Sequence, residues 1–203
     1  MKGYYFITDD RLSIGGTASD VEKAVAAGVG VIQYRNKSAG TRVLYDEARV
    51  IRDLCTGTRS RFIINDRIDI ALAVDADGVH IGQDDMPYGL ARKLIGRGKI
   101  IGVTVHNAGE ALEAEMMGAD YLGVSPVFVT ATKPDAGGAC GVEILWEIRR
   151  VCKIPIVAIG GIDISNVDRV IEAGADMVCA ISAVVAKPDV FAEIEKFQRK
   201  YGL

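Results

Sequence analysis

The feature that most constrains the fold is an eightfold alternation between short apolar runs and stretches in which apolar residues recur at helical spacing. In the stretch after Thr41, for example, Val43, Ala48, Ile51 and Leu54 lie on one side of the predicted helix. Strands that are apolar along their whole length predict a parallel sheet buried on both faces. The eight runs are YYFIT 4–8, VGVIQYR 29–35, RFIIN 61–65, DGVHIG 77–82, KIIGVTV 99–105, DYLGVSPV 120–127, IPIVAIG 154–160 and DMVCAIS 176–182.

Several of these strands open with a similar phrase, in which Gly or Ala ends a helix and Asp begins the turn. It reads VDADGVHIG at 74–82, MGADYLGV at 117–124 and AGADMVCA at 173–180. An open doubly wound sheet is the alternative, but it usually has fewer strands, and the first turn, TDDRLSIGG, has no G-x-G-x-x-G fingerprint. The repetition therefore predicts an α/β fold, a single (β/α)8 TIM barrel, with one catalytic domain over residues 1–203.

Composition restricts the partners and the compartment. The chain is 49% hydrophobic and 25% charged, with a net charge of −3, so it lacks the basic face that binding to nucleic acid needs. No apolar stretch is long enough for a secretion signal or a membrane span. The four cysteines form no C-x-x-C pair and are expected to be reduced, buried thiols. We expect a cytoplasmic protein without nucleic-acid or membrane partners, and the sequence leaves a homo-oligomer open.

Polar residues at the carboxyl ends of the strands are the candidates for function, because barrels of this kind bind their ligands there. The second strand ends in Gln33, Arg35 and Lys37, which lie on one face because side chains alternate along a strand. The alternative is that they face a helix or solvent. Three polar groups at period two favour the barrel mouth.

Carboxylates follow the third and fourth strands. Asp66 follows Asn65, and Asp84 and Asp85 come after Gln83. Neighbouring strands lie about 4.8 Å apart, so two carboxylates could hold a hard cation such as Mg²⁺ together with substrate phosphates. The alternative is helix capping. We expect it for Asp84, whereas both interpretations stay open for Asp66 and Asp85.

A second anion site is indicated after the last two strands. Gly160 and Gly161 follow the seventh strand, and Ile181 and Ser182 end the eighth before the final helix. Backbone N–H groups beside glycine can approach an anion closely, and this is the usual phosphate site of the fold, although a Gly-Gly pair alone more often marks a tight turn.

The loop VFVTATKPDAGG at 127–138 completes the predicted mouth. Thr130 and Thr132 could donate hydroxyls, Lys133 could neutralise phosphate charge, and Gly137 and Gly138 could let the segment close as a lid. The alternative is a mobile connection with no role. Together these elements predict a diphosphate and a monophosphate bound side by side.

With these motifs, the chain resembles the thiamine-phosphate synthase family over almost its whole length. The matching segments are QYRNK 33–37, ND 65–66, DGVHIGQDD 77–85, GVTVH 102–106, TATK 130–133, IGG 159–161 and AIS 180–182. The resemblance implies a transferase that joins 4-amino-2-methyl-5-pyrimidinylmethyl diphosphate to 4-methyl-5-(2-phosphooxyethyl)thiazole. Thiamine phosphate and diphosphate would form by Mg²⁺-assisted ionisation of the pyrimidine and capture by the thiazole nitrogen.

The same resemblance assigns roles residue by residue. Thr104 stands where the family more often has Ser, which keeps the hydroxyl. The resemblance implies that the pyrimidine diphosphate is bound by Gln33, Tyr34, Arg35, Asn36, Lys37, Asn65, Thr104 and Lys133, with Arg35, Lys37 and Lys133 catalytic. It implies that Mg²⁺ is held by Asp66 and Asp85, and the thiazole phosphate by Thr130, Ala131, Thr132, Gly161, Ile181 and Ser182.

Three other functions are alternatives to the synthase. A thiazole tautomerase of the same superfamily would lack the full diphosphate and metal set and would use a histidine at the position of His106, which we expect to be partly buried or to line the mouth. Another phosphate-binding barrel isomerase would lack Asp66 and Asp85. A non-catalytic regulator that binds phosphorylated ligands belongs to a different functional class.

Overall fold

The barrel is closed. The computed structural model describes residues 2–130 and 138–203, and in them eight parallel strands pair in sequence order, with β8 returning to β1 through Gly3 and Met177. This confirms the predicted (β/α)8 TIM barrel. The strands are β1 Gly3–Ile7, β2 Val31–Tyr34, β3 Arg61–Asn65, β4 Gly78–Ile81, β5 Ile100–Val105, β6 Tyr121–Val124, β7 Ile156–Ile159 and β8 Met177–Cys179.

Helices connect and surround the strands. In the described residues none combines the length and the apolar character needed to span a bilayer. The helices are α1 Thr17–Ala26, α2 Thr41–Cys55, α3 Ile68–Ala73, α4 Tyr88–Ile95, α5 Ala108–Met117, α6 Glu143–Val151, α7 Val167–Glu172, α8 Ile181–Val184 and α9 Val190–Lys200.

The end of the last strand differs from the prediction. Ile181 and Ser182 were expected to end β8, but β8 ends at Cys179 and these two residues begin the short helix α8. The reason lies in the neighbouring strand. Ile159, the last residue of β7, pairs with Cys179, and Gly160 then turns away with φ 103°, so a longer β8 would have no partner on that side.

Two apolar layers follow from the alternation of side chains along the strands. Tyr4 and Phe6 belong to the layer between strands and helices, whereas Tyr5 and Ile7 belong to the barrel interior. The four cysteines are free thiols, as expected, although Cys140 is only half-buried. The barrel interior is filled by Tyr5, Ile7, Val31, Ile63, Tyr121, Val157, Met177 and Cys179.

A glycine makes room for Tyr121, one of the two tyrosines in this interior. Gly102 on β5 pairs with Tyr121 on β6, and a Cβ atom at Gly102 would lie 2.0 Å from Cζ of that ring. Such a distance is far inside van der Waals contact. Glycine within a strand often marks a close approach of this kind.

We expect Gly102→Ala to lower the free energy of unfolding by about 1–3 kcal/mol, because the added methyl group displaces a fully buried ring. Urea unfolding measures this. Gly89→Ala in α4 is the matched control, since nothing lies within 4 Å of its Cβ position; it should stay within about 1 kcal/mol of the wild type. Equal stabilities for the two variants would contradict the packing argument.

Candidate active site

One cavity opens at the carboxyl ends of the strands and collects most of the residues singled out in the sequence. It lies where barrels of this fold bind their ligands. Because the lining residues come from all eight strands and the loops that follow them, closure of the barrel is what brings them together. The predicted site residues that line the cavity are Gln33, Arg35, Lys37, Asn65, Asp85, Thr104, Thr130, Gly161, Ile181 and Ser182.

Hydrogen bonds to Thr8, the residue after β1, fix the end of β2 that carries the cationic side chains of the cavity. The Thr8 hydroxyl accepts a hydrogen bond from the Arg35 backbone N–H at 2.9 Å and contacts the Arg35 carbonyl at 3.2 Å. The Thr8 N–H donates to the Gln33 carbonyl at 3.0 Å. The backbone from Gln33 to Arg35 is thereby tied to the neighbouring strand end, which keeps Gln33, Arg35 and Lys37 on the cavity side, as predicted.

Tyr34 and Asn36 point elsewhere. Neither is among the described residues that line the cavity; both line a separate small pocket. The Tyr34 hydroxyl donates to Glu47 on α2, and burial raises the pKa of this tyrosine. Asn36 Oδ1 accepts from the backbone N–H groups of Ser38 and Ala39. Alternation along the strand therefore separates these two side chains from the face that lines the cavity.

The Asp66 carboxylate contacts the cationic group. Its Oδ2 atom is paired with Lys37 Nζ and accepts from Asn65 Nδ2 at 2.8 Å. The backbone of Asp66 has φ 51°, and its N–H donates to the His80 carbonyl on β4 at 2.8 Å. Asp66 does not cap α3, whose N-cap residue is Arg67.

Asp85 faces the cavity from the loop after β4. Its Oδ2 accepts from the Gly82 N–H at 2.7 Å, which closes the turn. The expected helix cap at Asp84 is wrong: Asp84 is exposed in this turn, and the N-cap residue of α4 is Pro87. Three residues separate Asp84 from the first turn of the helix, which is too far for its short side chain.

Asp66 and Asp85 could hold a divalent cation only if water and ligand phosphates supplied its remaining ligands. Within the described residues, no group of three or more His, Cys, Asp or Glu side chains is arranged to hold a metal ion. The contacts of Asp66 and Asp85 use Oδ2, so each has Oδ1 as a further donor. Hard oxygen donors from two carboxylates, completed by water and ligand phosphates, suit Mg²⁺.

The opposite side of the cavity is built by the loops after β6, β7 and β8. The Phe128 N–H donates to the Gly160 carbonyl at 3.0 Å, so the first two of these loops pair with each other. Gly161 has φ 61°, and a Cβ atom there would lie 2.5 Å from the Val129 carbonyl oxygen. Glycine is therefore required at 161 by conformation and close contact, while its backbone borders the cavity beside Ser182.

Ala131, Thr132 and Lys133 lie outside the described residues, so their predicted roles, and that of a lid, stay predictions from the sequence. Thr130, directly before them, lines the cavity.

His80, rather than His106, lines the cavity. His106 was expected to be partly buried or to line the mouth. It is exposed, and its Nδ1 lies 3.1 Å from Glu110 Oε2 on α5, because β5 ends at Val105 and the chain turns outward. His80 was missed. It lines the cavity and is 6% exposed. A polar residue at an inward position of the apolar strand GVHI was the signal that could have found it.

The cavity does not offer an activated thiol. Cys179 is the cysteine among the described lining residues, and burial raises the pKa of its thiol strongly. It is therefore neutral at neutral pH and a poor nucleophile. The arrangement suits charge neutralisation and orientation of anionic ligands instead.

Comparisons with known proteins point to one family. A profile described as thiamine monophosphate synthase matches residues 4–184. A thiamine-phosphate synthase of Methanosarcina mazei is 55% identical over 194 residues, which are 96% of this chain and 80% of that protein. A thiamine-phosphate synthase of Chloroflexus aurantiacus is 53% identical over 189 residues, which are 93% of this chain and 87% of that protein. The solved structure of a thiamine phosphate pyrophosphorylase from Pyrococcus furiosus superposes with a TM-score of 0.90 at 42% identity, covering 98% of this chain and 95% of that one.

The outward placement of Tyr34 leads to a test. Tyr34→Phe removes the hydrogen bond to Glu47 and should lower the free energy of unfolding by about 1–2 kcal/mol without changing the affinity for diphosphate in the presence of Mg²⁺. Arg35→Ala, one position along the strand, removes a charge from the cavity and should weaken diphosphate binding on the order of tenfold or more. Calorimetric titration measures both, and equal losses of affinity would show that Tyr34 contacts the ligand.

Proposed function

The chain belongs to the thiamine monophosphate synthase family, a family of transferases, and we propose that its barrel mouth performs the coupling reaction of that family. The substrates would be 4-amino-2-methyl-5-pyrimidinylmethyl diphosphate and 4-methyl-5-(2-phosphooxyethyl)thiazole, and the products thiamine phosphate and diphosphate. One observation carries the proposal. A single cavity holds Arg35, Lys37 and Asp85 on one side and Gly161 and Ser182 on the other, which is the layout that two phosphorylated substrates need.

The pyrimidine diphosphate would bind on the cationic side. Lys37 Nζ is paired with the Asp66 carboxylate, and both groups can exchange partners when a diphosphate and a divalent cation enter together. Lys37 and Arg35 would then neutralise the phosphate oxygens, while Asp66 and Asp85 would hold Mg²⁺. When bound, Mg²⁺ supplies charge neutralisation for the leaving diphosphate.

The chain's own residues would act mainly through electrostatics. In the proposed reaction, the C–O bond to the diphosphate breaks first, and negative charge grows on the leaving group next to Arg35 and Lys37. Cations already placed beside the leaving group stabilise such charge with little reorganisation. The resulting carbocation is captured by the thiazole nitrogen, so the neutral thiol of Cys179 is not required as a nucleophile.

The thiazole phosphate would bind at the loops after β7 and β8. Gly161 and Ser182 border the cavity there, and Thr130 faces them from the loop after β6. Two anchored phosphates would hold the reacting carbon and nitrogen at short distance, which replaces much of the entropy cost of a bimolecular encounter. The tautomerase alternative loses its support, because His106 is exposed and turned toward Glu110.

The coupling itself is the primary test. The purified protein, given both substrates and Mg²⁺, should form thiamine phosphate and diphosphate in equal amounts, measured by chromatography and by a phosphate-release assay after pyrophosphatase treatment. Reactions that lack either substrate or contain a chelator are the controls. The absence of thiamine phosphate in the complete mixture would refute the proposal.

The two carboxylates can be tested separately. Asp66→Asn and Asp85→Asn should each lower kcat/KM on the order of 10²-fold or more and shift the Mg²⁺ dependence to higher concentration. Asparagine tolerates the positive φ of Asp66, so the fold should persist. Asp84→Asn is the matched control, because this neighbouring carboxylate is exposed and, unlike Asp85, is not among the described lining residues. Asp66 is not among them either, but it contacts the lining residues Lys37 and Asn65. An unchanged rate and Mg²⁺ profile in either site variant would remove that residue from the site.

A further inference from the structure

A chain of hydrogen bonds crosses the barrel interior beneath the cavity and connects two of its lining residues. Gln33 Nε2 on β2 donates to the Tyr5 hydroxyl at 2.8 Å, which lies 2.7 Å from the Tyr121 hydroxyl. The Tyr121 hydroxyl lies 3.0 Å from His80 Nδ1, and His80 Nε2 lies 2.8 Å from the Thr104 hydroxyl on β5. We call these five residues the relay.

The interior of the barrel is shaped around the relay. A Cβ atom at Gly102 would lie 2.0 Å from the Tyr121 ring, and one at Gly123 would lie 2.8 Å from His80 Cε1. Two glycines at inward strand positions therefore leave space for the two central rings. Aliphatic side chains could fill a barrel interior without any polar groups that need hydrogen-bond partners. Because this interior instead accommodates a chain of polar side chains, we expect that chain to have a function beyond packing.

Four members of the relay are buried, Thr104 being half-buried, and this restricts the protonation of the tyrosines. Tyr5 is 0%, Tyr121 1% and Gln33 2% exposed. Burial raises the pKa of both tyrosines, so each carries a neutral hydroxyl that can donate one hydrogen bond. Buried polar groups must be satisfied within the protein, so the donors along the relay have to follow a common order.

The amide of Gln33 sets that order. Each tyrosine hydroxyl has one proton to donate, and the described contacts offer Tyr5 only the Tyr121 oxygen as acceptor once Gln33 Nε2 donates to Tyr5. All protons are therefore satisfied when Tyr5 donates to Tyr121 and Tyr121 donates to His80 Nδ1. The neutral imidazole then carries its proton on Nε2 and donates to the Thr104 oxygen. At the two ends, Gln33 is left with its acceptor Oε1 and Thr104 with its donor O–H, and both residues line the cavity.

We propose that Tyr5, Tyr121 and His80 are positioning residues that select a 4-aminopyrimidine by fixing Gln33 as an acceptor and Thr104 as a donor. This inference rests on the proposed function. The amino group of such a ring donates, and its adjacent ring nitrogen accepts, which complements the two ends of the relay. A 4-oxopyrimidine has the opposite pattern, because its carbonyl accepts and its ring N–H donates.

The test compares the binding of the 4-amino and 4-oxo forms of the pyrimidinylmethyl diphosphate by calorimetry. The wild type should bind the amino form on the order of 10²-fold more tightly or better, since a site with committed donors and acceptors leaves the wrong ligand unpaired. Tyr121→Phe interrupts the relay and should reduce this preference at least tenfold, mainly by weakening the amino form. The affinity for the thiazole phosphate should not change.

Two further variants separate positioning from packing. Tyr5→Phe interrupts the relay at another point and should also reduce the preference at least tenfold. Tyr4→Phe is the matched control, because this neighbouring buried tyrosine donates to the Ala180 carbonyl at 3.2 Å and stands outside the relay; its preference should equal that of the wild type. A general packing defect would weaken both pyrimidines equally and leave their ratio unchanged.

The outcomes distinguish this inference from the proposed function. If the wild type forms thiamine phosphate but Tyr121→Phe and Tyr5→Phe keep the full preference for the amino form, the relay has no positioning role. A wild-type preference for the 4-oxo form would show that the relay runs in the opposite direction and would also overturn the proposal. A protein that forms no thiamine phosphate would refute the proposed function itself.

Discussion

Closure of the parallel barrel is the constraint on which the site depends. Pairing of β8 with β1 through Gly3 and Met177 brings the carboxyl ends of all strands in the described residues to one mouth. Residues as distant in sequence as Gln33 and Ser182 thereby line one cavity. An open sheet with the same strands would leave its two edge strands, and the residues that follow them, on opposite sides.

Inside a closed barrel, the inward side chains must fill a fixed volume and satisfy their own polar groups. Large polar rings are accommodated here only because small residues lie beside them. Gly102 lies against Tyr121 and Gly123 against His80. The same restriction makes polar interior groups informative, because each one costs free energy unless it is paired. The interior of this barrel thus serves both to pack the core and to support residues that line the cavity.

Much of the fold and of the site could be predicted from the sequence. Repetition of a strand entry predicted the barrel, because a repeated unit needs only local patterns to be recognised. The period-two arrangement of Gln33, Arg35 and Lys37 predicted their common face, and all three line the cavity. The prediction was less accurate where turns decide the geometry. Asp84 lies in a turn and does not cap α4, and Ile181 begins α8 rather than ending β8.

By itself, the sequence determined the order of strands and helices, the direction in which each strand presents its side chains, and the residue types at every strand end. These properties are local, since they follow from spacing along the chain. Only the tertiary structure decided which of those side chains meet. It paired Lys37 with Asp66, turned His106 away from the cavity, and joined Gln33 to Thr104 through the interior. Such contacts depend on the register of strands far apart in sequence and on the space that their glycines leave, and neither can be read from spacing along the chain.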